Sequence, residues 1–360
     1  MYKSIRPYLF SFEPETVHDG LRALAEIISA FSVDYFIERF YHFEHPLLQT
    51  TVAGMQFKSP VGLAAGFDKN AEMLPLMKSL GFGFLEIGSV TAKATKGNPK
   101  PRIFRLPDDE AVINRIGLSN IGVEKITKRL GKKKSTLPIG VNIAKTNDSS
   151  IIGKNAIEDY FFSYEKAIGV CDYIVLNISC PNTGDGKTFE NPDSLDELLS
   201  AIQCRSMGRN ISKPLFLKIS ADLPFDKING LIEVAQKYNV TGYVVSNTTL
   251  DRKGLQTDQQ TLVNIGNGGL SGAPLRKKST DLIRYIYKNF GQPIIIGVGG
   301  ISSAEDAYEK IKAGASLVQI YTSLIYQGPS VVRTMNMGLV SLLEQAGYKS
   351  VQEAVGSETE

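Results

Sequence analysis

Eight short apolar runs rich in β-branched residues recur along this chain and constrain its fold more than any other feature. Continuous apolar runs of this length are typical of strands covered on both faces, and most are separated by helix-like segments such as 222–238 and 305–313. Eight strand–helix units in series predict an α/β fold, a (β/α)8 TIM barrel, in which the polar residues closing the strands converge on one mouth. Each run ends in Gly, Ser, Thr, Asn or Lys, and they begin at Val61, Phe84, Ile139, Tyr173, Leu215, Gly242, Ile294 and Leu317.

The alternative architecture is a doubly wound open sheet, which is disfavoured because no G-x-G-x-x-G fingerprint follows the first run. Two connections, 91–138 and 250–272, are longer than a helix requires, and long loops at a barrel mouth usually cover or complete a site. The stretch TVAGMQF at 51–57 indicates a hairpin that would close the opposite end. We therefore expect a barrel domain over 46–360 preceded by a small helical segment over 1–45.

The first 45 residues differ in composition from the rest of the chain. They hold ten of the 32 Phe and Tyr residues, and their apolar spacing predicts two short helices, over 14–30 and 33–43. Either these helices pack on the barrel and bury their aromatic side chains, or they expose an apolar face to a lipid surface or frame a pocket for an apolar ligand. The segment has four basic and seven acidic residues, so any membrane attachment would be hydrophobic rather than electrostatic.

Charge and composition exclude several classes of protein. A net charge of +3 creates no field that would attract nucleic acid, so no nucleic-acid partner is expected. Three cysteines without C-x-x-C spacing indicate neither a disulfide framework nor a structural zinc site, and no metal is predicted. The chain shows no signal-peptide pattern and no stretch approaching eighteen apolar residues, so we expect a cytoplasmic protein that does not span a membrane.

Glycines and small polar residues follow the seventh and eighth runs. The stretches GVGG (297–300) and YTS (321–323) each lead into a predicted helix, and Ser302 or Ser303 can cap the first of these helices. Exposed backbone N–H groups, glycines that permit close approach and a helix N-terminus together form an anion site, and barrels often hold a phosphate here. A phosphorylated cofactor or substrate is therefore expected. The alternative is a glycine turn that serves only the strand-to-helix geometry.

Amide and lysine side chains accumulate at the same predicted mouth. An asparagine offers donors and an acceptor, which suits a flat heterocycle edged with C=O and N–H groups, although any single one is more often a turn or cap residue. Lys69 follows the first run and Lys218 lies within the fifth. Such a lysine either pairs with an acid or faces an anionic group in the barrel, and the scarcity of acids nearby favours the second reading. The asparagines are Asn114, Asn142, Asn177, Asn182 and Asn247.

The stretch NISCPNT at 177–183 supplies the candidate base, Cys180. The only histidines are His18, His42 and His45, so an acid or base near the middle of the chain must be another type of residue. A lone cysteine is more often a small buried hydrophobe, since an unperturbed thiol titrates near about pH 8.5. The position of Cys180 at the end of the fourth run, between two asparagines, nevertheless indicates chemistry.

Nine ordered stretches resemble the dihydroorotate dehydrogenase family, from about Tyr2 to the end of the barrel. The stretch EPETVH (13–18) and the aromatic helices further resemble its membrane-associated, quinone-reducing class. The resemblance implies an FMN enzyme that oxidises dihydroorotate to orotate in pyrimidine (UMP) biosynthesis and passes electrons to a membrane quinone. A base would remove a C5 proton while C6 delivers a hydride to the flavin. The nine stretches are AAGFDKN, EIGSVT, GNPKPRIFRL, VINRIGLSN, NISCPNT, SNTTLDR, GGLSG, IIGVGGI and LVQIYT.

The resemblance also implies which residues would contact FMN. Lys218 would favour negative charge on the reduced flavin. The phosphate would lie against Gly272, Gly300, Tyr321 and Thr322. The ring and ribityl chain would be surrounded by Ala65, Gly66, Ser89, Asn142, Asn177, Lys218 and Ser246.

The substrates would use separate entrances and alternate on one flavin. His18 and Arg105 would line the quinone site, and the aromatic helices would enclose the quinone tail. The protein would sit peripherally on the cytoplasmic side of the cell membrane. Cys180 would be the base. Orotate would contact Lys69, Asn114, Arg115, Ile116, Gly117, Leu118, Asn177, Asn182, Asn247 and Thr248.

One residue departs from the pattern of the quinone-reducing class. The base there is usually serine, whereas Cys180 is typical of the soluble class, which reduces fumarate or, with a partner subunit, NAD. We favour the quinone class, because a single substitution exchanges serine for cysteine, whereas an entire pair of aromatic helices does not arise by chance. The alternatives are a soluble dihydroorotate oxidase using fumarate or NAD, a related flavin enzyme acting on a different pyrimidine, and a non-catalytic phosphate-binding barrel.

Overall fold

Eight parallel strands close into a barrel, as the sequence predicts. The computed structural model describes residues 2–31, 33–132, 135–179, 188–206 and 212–359. Each predicted apolar run contains one barrel strand, and the strand at 317–320 pairs with the one at 61–63 to close the ring, which excludes the open sheet. The strands are β1 (Thr50–Val52), β2 (Met55–Phe57), β3 (Val61–Leu63), β4 (Phe84–Val90), β5 (Ile103–Leu106), β6 (Ala111–Asn114), β7 (Ile139–Ile143), β8 (Tyr173–Asn177), β9 (Leu215–Ile219), β10 (Gly242–Val245), β11 (Gly269–Gly272), β12 (Ile294–Val298) and β13 (Leu317–Ile320).

Helices surround the barrel and lie between successive strands. Four of the barrel strands, β7, β8, β9 and β10, follow one another around the ring without interruption, and β12, β13, β3 and β4 complete it. The described helices are α1 (Tyr2–Phe10), α2 (Pro14–Phe31), α3 (Asp34–Tyr41), α4 (Leu74–Ser79), α5 (Val123–Lys132), α6 (Lys154–Ala167), α7 (Pro192–Ser206), α8 (Phe225–Lys237), α9 (Gln259–Ile265), α10 (Arg276–Asn289), α11 (Ala304–Lys312), α12 (Thr322–Gln327) and α13 (Val331–Gln345).

The barrel strands are apolar on both faces because each face packs against a different core. In β8, Tyr173 and Val175 belong to the cluster that fills the barrel, whereas Ile174 and Leu176 belong to the cluster beneath the helices. Successive side chains of a strand point to opposite faces, so both sets must be apolar. This double burial is the physical origin of the continuous runs in the sequence.

The hairpin predicted at 51–57 closes the end of the barrel opposite the mouth. Its strands β1 and β2 are antiparallel, and Val52 and Phe57 join the cluster inside the barrel. The ring of Phe57 meets the ring of Phe84 edge-on with centroids 5.3 Å apart. The hairpin therefore excludes water from the lower barrel.

The two long connections pair with each other beside the mouth. Strands β5, β6 and β11 form a three-stranded antiparallel sheet, in which β6 is central and pairs with β11 of the other connection. The sheet has its own small core, which includes Leu106, Ile113 and Leu270. This arrangement fixes the chain on either side of the mouth.

The N-terminal segment contains three helices rather than the two predicted. The prediction missed α1, whose sequence contains Pro7 and would be a poor helix alone. Contacts remote in sequence stabilise it: the Tyr2 hydroxyl donates to the carbonyl oxygen of Ile325 at 2.6 Å, and Arg6 donates to that of Tyr326 at 3.0 Å. Helix α2 buries only Ala25 and Ile28. Most apolar side chains of this segment therefore remain exposed.

None of the described helices combines the length and apolar character that a membrane crossing requires.

Candidate active site

A single cavity of about 980 Å³ extends from the barrel mouth to the N-terminal helices. Its walls at the mouth include Lys218, Asn247 and Gly300, and its walls at the other end include Leu24 of α2 and Ile37 of α3. The mouth is polar and the helical end is apolar. The cavity can therefore accept a polar, phosphorylated molecule and an apolar one at opposite ends.

The polar end rests on a buried carboxylate, Glu86 of β4, which is fully buried. Its two oxygens accept hydrogen bonds from Asn142 Nδ2 and Gln319 Nε2, both at 2.7 Å. Lys218 Nζ lies 3.7 Å from Glu86 Oε1. Of the two readings that the sequence offers for Lys218, both apply, because Lys218 lines the cavity and also has an acidic partner. The sequence argument against an acidic partner fails because Glu86 comes from a strand distant in sequence.

A chain of amides and hydroxyls continues from this carboxylate along the strand ends. Ser89 Oγ donates to Asn142 Oδ1 at 2.5 Å, and Asn177 Nδ2 donates to Ser89 Oγ at 2.9 Å. Asn247 Nδ2 donates to Asn177 Oδ1 at 3.3 Å and to the carbonyl oxygen of Ser179 at 3.1 Å. These bonds fix the amide orientations, so the cavity presents donors and acceptors at defined positions.

Asn142 does not line the cavity, although the sequence interpretation gave it a cofactor contact. Its side chain is fully buried and is occupied by Glu86 and Ser89. It lies inside the barrel because β7 points this position inward, beneath Ser89. Asn142 can therefore orient Ser89, which does line the cavity.

Lys69 reaches the cavity from the turn after β3. The turn is held by Asp68, whose carboxylate accepts hydrogen bonds from the backbone N–H groups of Glu72 and Met73 at 2.9 and 2.8 Å. Burial, reinforced by the charge of Arg102, lowers the pKa of Lys69 to about 8. The amine is consequently mostly protonated at pH 7 and can attract an anion, but loses its proton on mild alkalinisation.

Three positive-φ glycines line the cavity near the ends of β12 and β11. Gly299 and Gly300 have φ of 117° and 69°, and Gly272 has φ of 104°. A Cβ at Gly300 would come within 2.5 Å of the backbone of Arg276, so only glycine fits there. Ser303, rather than Ser302, caps α11 and forms a capping box with Asp306.

The first residues of α12 complete this region. Tyr321 and Thr322 line the cavity, and Thr322 Oγ1 lies 2.9 Å from Ser271 Oγ. The buried Ser323 hydroxyl has no hydrogen-bond partner among the residues that the structure describes. Glycines, hydroxyls and helix N-terminal amides thus converge as the sequence predicts for a phosphate site.

The segment 114–118 enters the cavity from β6, with one exception. Asn114, Ile116, Gly117 and Leu118 line the cavity, whereas Arg115 does not. The guanidinium of Arg115 lies 4.6 Å from the centre of the Phe104 ring and donates to the carbonyl oxygens of Pro101 and Asn267. These contacts hold the Arg115 side chain outside the cavity walls, and its contact with orotate stays a prediction from the sequence.

His18 and Arg105 both line the helical end of the cavity. Burial lowers the pKa of His18 to about 4, with a further contribution from the charge of Lys69, so the ring is neutral at pH 7. The Arg105 guanidinium donates to the carbonyl oxygen of Phe12 at 2.9 Å and lies 4.6 Å from the centre of the Phe10 ring. This end therefore combines apolar walls with one neutral and one charged polar group.

Aromatic rings connect the two ends. The Phe67 ring meets the His18 ring at 5.1 Å and the Tyr321 ring at 5.4 Å, both edge-on. Tyr321 belongs to the polar end and His18 to the helical end. Phe67 thus lies between a residue of the polar end and a residue of the helical end.

The remaining predicted residues at the mouth divide into those that line the cavity and those outside the described ranges. Cys180 and Asn182 lie outside the described residues. Ser179, the last described residue before Cys180, donates its hydroxyl to the carbonyl oxygen of Lys218 at 3.0 Å. The predicted residues not yet placed all line the cavity: Ala65, Gly66, Ser246 and Thr248.

Sequence reasoning missed two groups, Glu86 and Arg102. Glu86 is a charged residue inside an apolar run, which was the available signal. Arg102 binds Glu15 of α2 through Nε and Nη2 at 3.1 and 2.6 Å, and its Nη1 donates to the carbonyl oxygens of Lys96 and Asn98. This buried arginine attaches the N-terminal helices to the barrel.

Comparisons with known proteins agree with this geometry. The family model described as dihydroorotate dehydrogenase matches residues 47–343. The chain is 41% identical over 358 residues to a dihydroorotate dehydrogenase (quinone) of Gloeobacter violaceus, covering 99% of this chain and 98% of that one. It is 42% identical to the enzyme of the same name from Christiangramia forsetii, covering 94% and 99%. A crystal structure of DHODH from Eimeria tenella in complex with ferulenol is similar, with a TM-score of 0.84, 34% identity and 98% of each chain covered.

Proposed function

The chain belongs to the dihydroorotate dehydrogenase family, and from that premise we propose that its cavity holds FMN and dihydroorotate at the mouth and a quinone at the helical end. Its activity is the oxidation of dihydroorotate with a quinone as electron acceptor, and the alternative of a fumarate- or NAD-reducing soluble enzyme is not favoured. The observation that carries the proposal is the single cavity with one polar and one apolar end. A flavin supplies the two-electron chemistry that links the two substrates.

FMN fits the polar end. Its phosphate would lie against Gly272, Gly300 and Thr322, where a side chain at either glycine would collide with backbone and the Ser323 hydroxyl has no partner among the described residues. Lys218, Ser89 and the amide chain would hold the ring, since they offer both donors and acceptors along one wall. Asn142 would act through Ser89 rather than by contact.

Orotate and dihydroorotate would bind beside the flavin, against the segment 114–118. Lys69 supplies positive charge for the carboxylate, and Asn177 and Asn247 match the amide edges of the pyrimidine. Asn114 and Thr248 line the same wall. Asn182 is proposed on sequence grounds alone.

Cys180 is the proposed base. It follows β8 immediately after Ser179, which is held by Lys218 and Asn247. Its thiolate Sγ would take the proton from C5 of dihydroorotate. A thiol is intrinsically easier to ionise than a hydroxyl, so this step needs less assistance from neighbouring groups than a serine would.

The quinone would enter between α2 and α3 and reach His18 and Arg105. A neutral His18 can exchange hydrogen bonds with a quinone oxygen without the cost of burying a second charge. Arg105 would supply one positive charge at the same end of the cavity. Phe67 would separate the quinone from the flavin.

The N-terminal helices are proposed to attach the protein peripherally to the cytoplasmic face of the cell membrane. Phe31, Phe36 and Phe40 are 75%, 64% and 68% exposed, and Tyr35 is 66% exposed. Such a cluster at the entrance of an apolar cavity suits a lipid surface from which the quinone tail can enter.

Orotate formation by the purified protein tests this function. The assay uses detergent and either a short-tailed ubiquinone analogue or fumarate as acceptor. Efficient turnover with the quinone alone is expected. A preference for fumarate would contradict the quinone assignment while leaving dihydroorotate oxidation intact, and the flavin spectrum of the protein separately tests the FMN site.

A further inference from the structure

We propose that Glu86, the buried carboxylate beneath the polar end of the cavity, is a positioning residue that offsets the charge of Lys218 and thereby lowers the reduction potential of the bound flavin. This inference rests on the FMN site proposed above. Glu86 does not line the cavity, whereas Lys218 does. A molecule in the cavity therefore meets the lysine first, with the carboxylate behind it.

The geometry around Glu86 keeps its charge in place. It is fully buried, and its oxygens are held by Asn142 and Gln319 at 2.7 Å while Lys218 lies at 3.7 Å. These three partners come from three other strands, β7, β13 and β9. Two amide N–H groups donate to its oxygens and a lysine lies beside it, which are the partners that a buried carboxylate requires.

The direction of the change in reduction potential follows from which charge lies nearer the flavin. Reduced FMN carries more negative charge than oxidised FMN, so a lone lysine beside the ring would favour the reduced form and raise the potential. Glu86 opposes the field of Lys218 at 3.7 Å, and both side chains are buried, where such interactions are stronger than in water. The net result is a flavin that releases its electrons to the acceptor more readily.

A structural role is the competing explanation, since Glu86 joins four strands inside the barrel. Such a role predicts lower stability on substitution without a defined change in potential. An apolar residue would match the apolar run, but it would leave the buried side chains of Asn142, Gln319 and Lys218 without this partner, so some loss of stability is expected under either explanation. The two explanations therefore differ in what they predict for the flavin.

The test is the reduction potential of FMN bound to Glu86→Gln, measured against reference dyes at pH 6.5 without dihydroorotate or quinone. The new amide can retain its hydrogen bonds if the side chain of Gln319 turns to present its own carbonyl oxygen. Relative affinity for reduced over oxidised FMN is expected to rise about tenfold, or about 30 mV for a two-electron couple. Glu86→Met, uncharged and of similar length, repeats the measurement where the glutamine variant fails to fold.

Two controls separate charge from packing. Glu86→Asp keeps the carboxylate and is expected to restore a potential close to that of the wild type. Asp159→Asn makes the same carboxylate-to-amide change at a buried residue of α6, where the carboxylate accepts from Thr146 at 2.7 and 2.8 Å, and should leave the potential unchanged. If the relative affinity for reduced FMN changes by less than about twofold, or roughly 10 mV, in both uncharged variants, the proposed role of Glu86 is overturned while the FMN site stands. Wild-type protein unable to bind FMN would overturn the cofactor site and this inference with it.

Discussion

The barrel end of the cavity and its helical end differ in how their side chains are held. At the barrel end, hydrogen bonds of 2.5–3.3 Å that run through Asn142 and Ser89 join Glu86 to Asn177 and Asn247. Glu86 and Asn177 lie on strands paired on both sides, and Asn247 follows such a strand. At the helical end, α2 buries only two side chains, and α3 buries none. The side chains of the barrel end are held in place by the protein itself. The helical end instead exposes apolar side chains to solvent.

This difference matches the chemistry proposed for each end. Proton and hydride transfer require reacting atoms to be held in a defined geometry, which a hydrogen-bonded barrel supplies. Admission of an apolar acceptor requires a surface that can contact lipid and adapt to a tail. Changes at the barrel end should therefore affect the oxidation of dihydroorotate, and changes at the helical end should affect delivery of electrons to the quinone.

The largest effect is expected from Cys180→Ala. Loss of a general base typically costs about 10²–10⁴-fold, so dihydroorotate oxidation should fall roughly a thousandfold while FMN remains bound. The measurement is flavin bleaching by dihydroorotate in a stopped-flow instrument. Cys180→Ser is the matched control and should retain activity with a pH profile displaced to higher pH. Near-normal turnover of the alanine variant would remove Cys180 from the mechanism.

A smaller effect, confined to the reaction with the quinone, is expected from Arg105→Ala. Loss of a charge-assisted contact should raise the KM for the quinone roughly 30-fold. Flavin reduction by dihydroorotate should not change, because Arg105 lies at the other end of the cavity. Arg284→Ala, which removes an arginine paired with Asp281 and Glu358 on the outer surface, is the control. An equal loss in both half-reactions would break the proposed division between the ends.

The pH dependence of orotate binding sharpens the comparison at the barrel end. Because the pKa of Lys69 is lowered to about 8 by burial and by Arg102, the amine is charged below that pH and neutral above it. Orotate affinity, measured by flavin absorbance, should be constant below pH 7 and fall about tenfold per unit well above pH 8. Lys69→Arg, which stays protonated, should bind orotate with little pH dependence over this range. A wild-type affinity that stays constant to pH 10 would exclude Lys69 as the anion partner.

The smallest effect is expected from Phe36→Ser at the helical end. Partial loss of one aromatic contact should weaken binding to uncharged phospholipid vesicles roughly fivefold, since full burial of such a side chain is worth about 1.5–3 kcal/mol. Cosedimentation measures the binding, and added salt should have little influence. Phe225→Ser is the control, because Phe225 is also half exposed but lies on α8 of the barrel. Equal weakening by both variants would show that attachment is not confined to the N-terminal helices.

The sequence predicted the eight barrel strands because double burial leaves a continuous apolar run for each. It also predicted the hairpin at 51–57 and the capped glycine turn before α11, since both depend on residues close together in the chain. It missed α1, because the contacts that hold it join Tyr2 to Ile325 across the length of the chain. The resemblance placed Arg115 at the substrate together with the rest of 114–118, but its guanidinium lies over the Phe104 ring and does not line the cavity.

Family membership and the barrel were thus determined by the sequence itself, through the spacing of apolar runs and the ordered polar stretches that close them. Only the tertiary structure decided which of those polar residues face the cavity and what stands behind them. Lys218 and Glu86 are 132 positions apart, and their pairing exists only because β9 and β4 are brought to the same barrel interior. Local patterns specify strands and turns, but the partner of a buried charge depends on the closure of the ring, which couples residues that no local pattern relates.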